Sequence, residues 1–242
     1  MKNAEIYARQ FDKLVKPSDE MNRALTKYSD LPGYLKPAPR SHAKMTEVLM
    51  SPSAIGPDIH YWMVRGNVLD KEPNDGQAWS GNNITIWEIG KAGREYIKTY
   101  GHVHAGNLSE TYKILEGNGI ALLQKLAVDK TGNMIPNIVE EFRAVPVRKG
   151  QELYIPEGIG HLVVNIGGDV LVTQDDSPVH LSDSDPSAWP GHADYELVRQ
   201  MRGFAYYVVE HNGKPAFIIN YLYKEVRSND FGGIPVLPIP QE

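Results

Sequence analysis

Apolar residues along most of this chain fall into short dense runs, separated by glycine, proline and small polar residues. From about residue 59 the segments IHYWMVRG, ITIWEIG, YIKTYGHVH, ETYKILEG and GIALLQKLAV are rich in β-branched and aromatic residues, and most end near a glycine or a polar turn. The texture resumes at EFRAVPV, ELYIP, HLVVNIG and DVLVTQ. Roughly eight or nine short strands at this spacing predict a mainly β fold, an antiparallel barrel or jelly roll, and closing the sheet removes exposed strand edges. Later, two strand-like runs flank His211-Asn212-Gly213-Lys214, where Asn-Gly predicts a two-residue hairpin. Asp129-Lys130-Thr131-Gly132-Asn133 looks like the turn of an additional hairpin.

The two ends read differently. Ile6, Phe11, Leu14, Val15, Met21 and Leu25 recur at roughly helical intervals, broken by Pro17, with Ser18 and Asp19 placed to cap a second helix. Residues 31–58 carry Pro32, Pro37, Pro39, Pro52 and Pro57 and are expected to be a long irregular connection. The last stretch, FGGIPVLPIPQE, is expected to be an extended or frayed tail. The expected organisation is a short helical and Pro-rich extension over 1–58, a β-barrel domain over 59–225 and a C-terminal tail over 226–242.

Composition narrows the chemistry. The 242 residues include no cysteine and eight histidines, which excludes disulfides, thiolate zinc sites, iron–sulfur clusters and a cysteine nucleophile. Any protein-held metal must rest on imidazole and carboxylate. Lys and Arg number 25 against 30 Asp and Glu, for a formal charge of -5, so no basic field draws in nucleic acid. With no signal-like N-terminus and no apolar run long enough for a membrane span, a soluble cytoplasmic protein with small-molecule partners is expected.

Three histidines fall in or beside strand-like segments. His102 and His104 are two apart, so on a strand both imidazoles face the same side and can reach one ion. Glu110 follows at the start of the next predicted strand, placed to lean back toward them. In GQELYIPEGIGHLVVN, from Gly150 to Asn165, Pro156 and Gly158 predict a tight turn that delivers His161 into the barrel interior.

These segments resemble the two motifs of the cupin superfamily, GxxxxxHxHxxx(x)ExxxxxxG and GxxxxxPxGxxHxxxN. Gly150, Pro156, Gly158, His161 and Asn165 match the second at every fixed position, a coincidence expected roughly once in several thousand sequences of this composition. The first is matched by His102, His104, Glu110 and Gly117, with one extra residue between His104 and Glu110 and with Tyr96 where a glycine leads the motif. The runs from Thr99 to His104, Glu110 to Gly117 and Ile155 to Gly167, with Asp194-Tyr195 downstream, are similar to the cupin-type glucose-6-phosphate isomerase family over about residues 60–220.

That resemblance implies a double-stranded β-helix, or jelly-roll barrel, in a homodimer. It implies one divalent metal ion per subunit, held by His102, His104, Glu110 and His161, and interconversion of glucose 6-phosphate with fructose 6-phosphate. Fe2+ leads, with Mn2+, Ni2+ or Zn2+ equally compatible with such ligands. An ion with open positions can bind the sugar O1 and O2 and stabilise charge on an enediolate or on the alkoxide of a hydride shift. The implied phosphate pocket uses Thr85, Thr99, the Gly101 backbone N–H and Tyr112. Glu110 is a ligand, a base for the C2 proton, or both, and Tyr195 contacts the sugar. A histidine directly precedes the Asp-Tyr pair in the family, whereas here His192 stands one residue early, before Ala193. Two other readings are a cupin dioxygenase and a non-catalytic sugar-binding cupin. His42, His60, His180 and His211 are expected at the surface or in caps, and Trp62, Trp79, Trp87 and Trp189 in the core.

Overall fold

The structure, a computed structural model, describes residues 18–29, 37–65, 83–104, 106, 108–177 and 193–238. Helix α1 (Asp19–Ser29) comes first, then β1 (Ala38–Ser41), a one-turn helix α2 (His42–Met45) and a 3-10 turn (Thr46–Val48). The strands continue as β2 (Ile59–Val64), β3 (Asn83–Trp87), β4 (Lys91–Ala92), β5 (Glu95–Tyr96), β6 (Val103–His104) and β7 (Glu110–Glu116). Next are β8 (Asn118–Val128), β9 (Met134–Arg148), β10 (Glu152–Ile155), β11 (Gly160–Asn165) and β12 (Leu171–Asp175). After β13 (Ala193–Asp194) and helix α3 (Glu196–Gln200) come β14 (Tyr206–His211), β15 (Lys214–Ile219), β16 (Glu225–Val226) and β17 (Asn229–Asp230).

Two sheets face each other in the expected mainly β, double-stranded arrangement. One has the order β1-β2-β3-β12-β7-β10, and the other β11-β8-β9-β16 with β17 also on β9. Among the described residues they do not join into one continuous hydrogen-bonded ring. Alternation along each strand sends one set of side chains between them. Tyr61, Trp87, Ile114 and Leu171 of the first sheet and Ala121, Leu123 and Val163 of the second belong to one buried cluster, and Trp87 Nε1 donates to the Val163 carbonyl across the gap at 3.1 Å.

The outer face of the first sheet is covered by α1. Met21, Ala24, Leu25 and Tyr28 are buried at helical spacing and pack with Trp62, Ile84, Ile86 and Val172. Burial of Met21 and Leu25 contributes on the order of 4 kcal/mol. Ser18 caps the helix by accepting from Met21 N at 3.1 Å, while its own hydroxyl donates to Glu88 Oε1 at 2.6 Å. The cap expected at Ser18 is therefore also the attachment of α1 to the sheet. The first of the two expected helices lies outside the described residues.

The Pro-rich stretch is more regular than its composition suggests, since it carries β1 and α2. Pro39 lies within β1, and β1 is an edge strand, where a missing N–H is tolerated. Segment 46–50 is then pinned by a buried ion pair. Lys98 Nζ donates to the Val48 carbonyl at 2.7 Å and lies 2.5 Å from Glu95, whose Oε2 accepts from Met50 N. The C-terminal stretch is also docked. β16 and β17 run parallel to β9, and Phe231 packs among Phe142, Tyr206 and Phe217. Both expected hairpins form, β8–β9 closing at Asp129–Asn133 and β14–β15 at Asn212-Gly213. Among the described residues no helix is long and apolar enough to cross a membrane.

Candidate metal centre

The segment from Ile97 to His104 is zipped against β11. Asn165 N donates to the Ile97 carbonyl, Thr99 N to Val163, and His102 and His161 exchange N–H···O bonds of 3.2 and 3.0 Å. This register sets His102 opposite His161. His104 follows two residues on, in β6, and Glu110 opens β7 on the other sheet. The turn at Glu157-Gly158 brings β11 in, and the Asn165 amide fixes its far end by donating to the Glu88 and Asp169 carbonyls while its Oδ1 accepts from Gly167 N. The second motif therefore frames β11 from both ends.

One ligand atom from each of His102, His104, Glu110 and His161 lies within 4.8 Å of the others. His102 Nε2 is 3.3 Å from His104 Nε2, and Glu110 Oε2 is 3.2 Å from His104 Nε2 and 2.9 Å from His161 Nε2. His104, Glu110 and His161 are buried, and His102 is half-buried. His161 Nδ1 lies 3.4 Å from the Ile159 carbonyl, which can only accept, so the proton sits on Nδ1 and Nε2 presents its lone pair inward. That Nε2 is buried and makes no hydrogen bond, despite its closeness to Glu110. A buried nitrogen left bare beside a carboxylate, with two further imidazoles converging on it, is the donor set a divalent cation needs.

Electrostatics put two of the donors, His102 and Glu110, in the protonation states a cation requires. Desolvation, then the neighbouring His161 and His104, holds the His102 imidazolium well below its ordinary range. Burial by itself would raise the Glu110 carboxyl, but the facing His161 imidazole, then the hydrogen bond from His104, holds it well below the usual carboxylate range.

The other expected site residues are distributed around this cluster. Tyr112 is buried on the inner face of β7 with its ring 5.6 Å from His161, edge to face. Thr85 is buried on β3, opposite Met63 and Thr173, in the row next to that of Asn83, Asp175 and Tyr112 and further from Glu110. The Thr99 hydroxyl is turned to β11, where it accepts from Val163 N at 3.0 Å. Gly101 is buried, with Phe204 and Leu162 side chains 3.2 to 3.3 Å from where a Cβ would stand. Tyr195 precedes α3, and its ring packs 5.4 Å from His102 and 5.5 Å from Tyr100. His192, His180, Trp79 and Trp189 lie outside the described residues.

Three polar groups near the cluster carry no motif. Asp175 is pushed up to about 7, first by burial and then by the charge of Glu110, while Asn83 and Ser177 bond its Oδ1. Arg40 pairs with Tyr61 on the inner face, and Arg65, just after β2, donates from Nη2 to Met63 Sδ at 3.6 Å. An isolated Arg or Asp in a strand has no spacing to betray it, and only the sheet pairing reveals which face it takes. His60, expected at the surface, is instead fully buried, as are Trp62 and Trp87 in the core.

A family model described as Glucose-6-phosphate isomerase (GPI) matches residues 53–221, well over half of the chain. The chain belongs to this family. The glucose-6-phosphate isomerase of Pyrococcus abyssi is 31% identical over 141 residues, which cover 58% of this chain and 62% of that protein. That of Thermococcus onnurineus is 28% identical over 157 residues, 64% of this chain and 70% of that one. The chain thus spans a little under two thirds of the length of the Pyrococcus abyssi relative. Solved structures that overlap part of it include a predicted oxalate decarboxylase from Thermotoga maritima, at TM-score 0.33, 18% identity, 57% of this chain and 88% of that one. Another is the cupin domain of Schizosaccharomyces pombe Cnp3, at TM-score 0.28, 11% identity, 47% of this chain and 61% of that one. The glucose-6-phosphate isomerase family match contains every metal-centre residue and Thr85, Thr99, Gly101, Tyr112 and Tyr195, whereas β1 lies before it.

Proposed function

We propose that this protein is a metal-dependent aldose–ketose isomerase that interconverts glucose 6-phosphate and fructose 6-phosphate in the cytoplasm, serving glycolysis and gluconeogenesis as a homodimer. The observation that carries the reading is the convergence of His102, His104, Glu110 and His161 within 4.8 Å, inside the segment that matches the isomerase family. These four residues would hold one divalent ion, Fe2+ first, with Mn2+, Ni2+ or Zn2+ as substitutes. Bound there, the ion would supply Lewis-acid stabilisation of oxyanion charge at C1 and C2.

The chain's own residues do the rest. Glu110 places Oε2 between two imidazoles and is held anionic, which makes it a ligand and a poor base. Tyr195, against His102, contacts the sugar. Thr85, Thr99, the Gly101 N–H and Tyr112 form the phosphate end, and Tyr112 links it to His161. The buried walls exclude water from the reacting carbons.

A coupled assay for fructose 6-phosphate, run beside an oxygen electrode, tests this. Turnover without oxygen uptake, abolished by EDTA and restored by divalent metal, is expected. Oxygen uptake without isomerisation would identify a dioxygenase, and full activity after exhaustive demetallation would remove the metal from the reaction.

A further inference from the structure

Arg40 lies on β1, before the residues that carry the family match, so the comparison assigns it no role. Its pairing with Tyr61 across β1 and β2 puts both on the inner face of the sheet. Arg40 Nε donates to Tyr61 Oη at 3.1 Å, and the guanidinium carbon is 5.8 Å from the Tyr61 ring centre and 5.9 Å from that of Tyr195. Tyr61 Oη also accepts from Tyr100 N at 3.3 Å, the residue between Thr99 and Gly101. Arg40 therefore stands one hydroxyl away from the Thr99–Gly101 backbone and against the same tyrosine ring that packs on His102.

The described partners of this half-buried cation are tyrosines rather than carboxylates. Holding a guanidinium partly out of water against these neutral rings is costly, and the cost falls when an anionic ligand arrives. Nε is already engaged, while the Nη groups form the fork that matches phosphate oxygens in a bidentate manner. The other donors of the proposed phosphate end are neutral, and the Thr99 hydroxyl is shared with Val163 N.

We propose that Arg40 binds the phosphate dianion of the substrate and is the residue that selects phosphorylated over unphosphorylated sugars. The inference rests on the isomerase reading for its substrate, and its test separates the two. The metal-loaded wild type, Arg40→Gln and Arg40→Lys would each be titrated calorimetrically with a hexitol 6-phosphate and with the unphosphorylated hexitol, and assayed for turnover.

Arg40→Gln is expected to weaken hexitol 6-phosphate binding and raise KM about tenfold or more, with kcat within about threefold and hexitol affinity unchanged. Arg40→Lys, which keeps the charge but not the fork, should fall between the two and decides the matter if the glutamine variant does not fold. Equal weakening of both ligands, or of neither, overturns the proposal and leaves Arg40 as a packing residue for Tyr61. A wild type that binds the hexitol phosphate selectively yet isomerises nothing would defeat the isomerase reading while the titration still judges Arg40. A wild type that binds neither ligand overturns both.

Discussion

At the scale of single residues, the two buried histidine groups illustrate opposite uses of one side chain. His161 hides a bare Nε2 beside Glu110 and two other imidazoles, an arrangement that asks for a cation. His60 is equally buried, but the ring it bonds is another imidazole, that of His42. His42 Nε2 faces the Ala54 carbonyl at 2.9 Å and must carry the proton, so its Nδ1 accepts from His60 Nε2–H at 2.8 Å. That leaves His60 Nδ1 buried and unbonded. Protonating it would create an unpaired buried charge, and burial, followed by the charges of His42 and Lys98, lowers its pKa to about 3. In the unfolded chain it returns to about 6.5. A histidine depressed on folding contributes its full stability above the unfolded value and loses it as pH falls from there toward the folded value. Between pH 7 and pH 5 the wild type should lose about 2 kcal/mol more than His60→Gln, because the amide does not titrate. Urea unfolding of both proteins at the two pH values measures this directly. Parallel losses would mean that His60 takes up its proton as readily in the folded protein as in the unfolded chain.

At the scale of elements, the motif glycines serve different physical ends. Gly117, between β7 and β8, has φ +79°, and a Cβ there would stand 2.6 Å from the Val170 carbonyl oxygen and 2.9 Å from Leu171 Cα. Gly150, in the turn before β10, has φ +86° but opens onto empty space. The left-handed backbone alone penalises alanine by roughly 1–2 kcal/mol, and a backbone clash adds roughly 1–3 kcal/mol more. Gly117→Ala should therefore cost about twice as much stability as Gly150→Ala, read from denaturation midpoints at constant m-value. Equal effects would show that β7, β8 and the start of β12 can move apart freely. The close approach at Gly117 matters to the site because β7 carries Glu110 and Tyr112, and its position relative to β12 is set there.

At the scale of the whole molecule, what could be read from the chain followed the reach of local patterns. Strand runs, the two hairpins and the Ser18 cap were legible because each is written in spacing over a few residues, and the His102, His104, Glu110 and His161 set because it falls on the two motifs by which the chain resembles its family. Arg40, Asp175 and the His42–His60 pair were not, since each depends on which strands become neighbours across 18 or more residues of chain. β1 was hidden by its own prolines, and the docking of β16 and β17 by a parallel pairing that no turn announces. The same long-range character sets a test of the metal centre. Glu110 belongs to the six-stranded sheet and His161 to the five-stranded one, so a shared ion would bind only when both sheets are assembled. A ligand that binds the folded state alone stabilises it by about 2.7 kcal/mol at a hundred times its dissociation constant, which for a chain of this size corresponds to roughly 5–10 °C in Tm. Demetallated protein should gain that much on addition of Mn2+ or Fe2+ under anaerobic conditions, and Glu110→Gln should gain little. If the wild type shows no metal-dependent shift while the metal content of the purified protein is also negligible, the four residues do not form a cation site, and the isomerase reading would lose its centre.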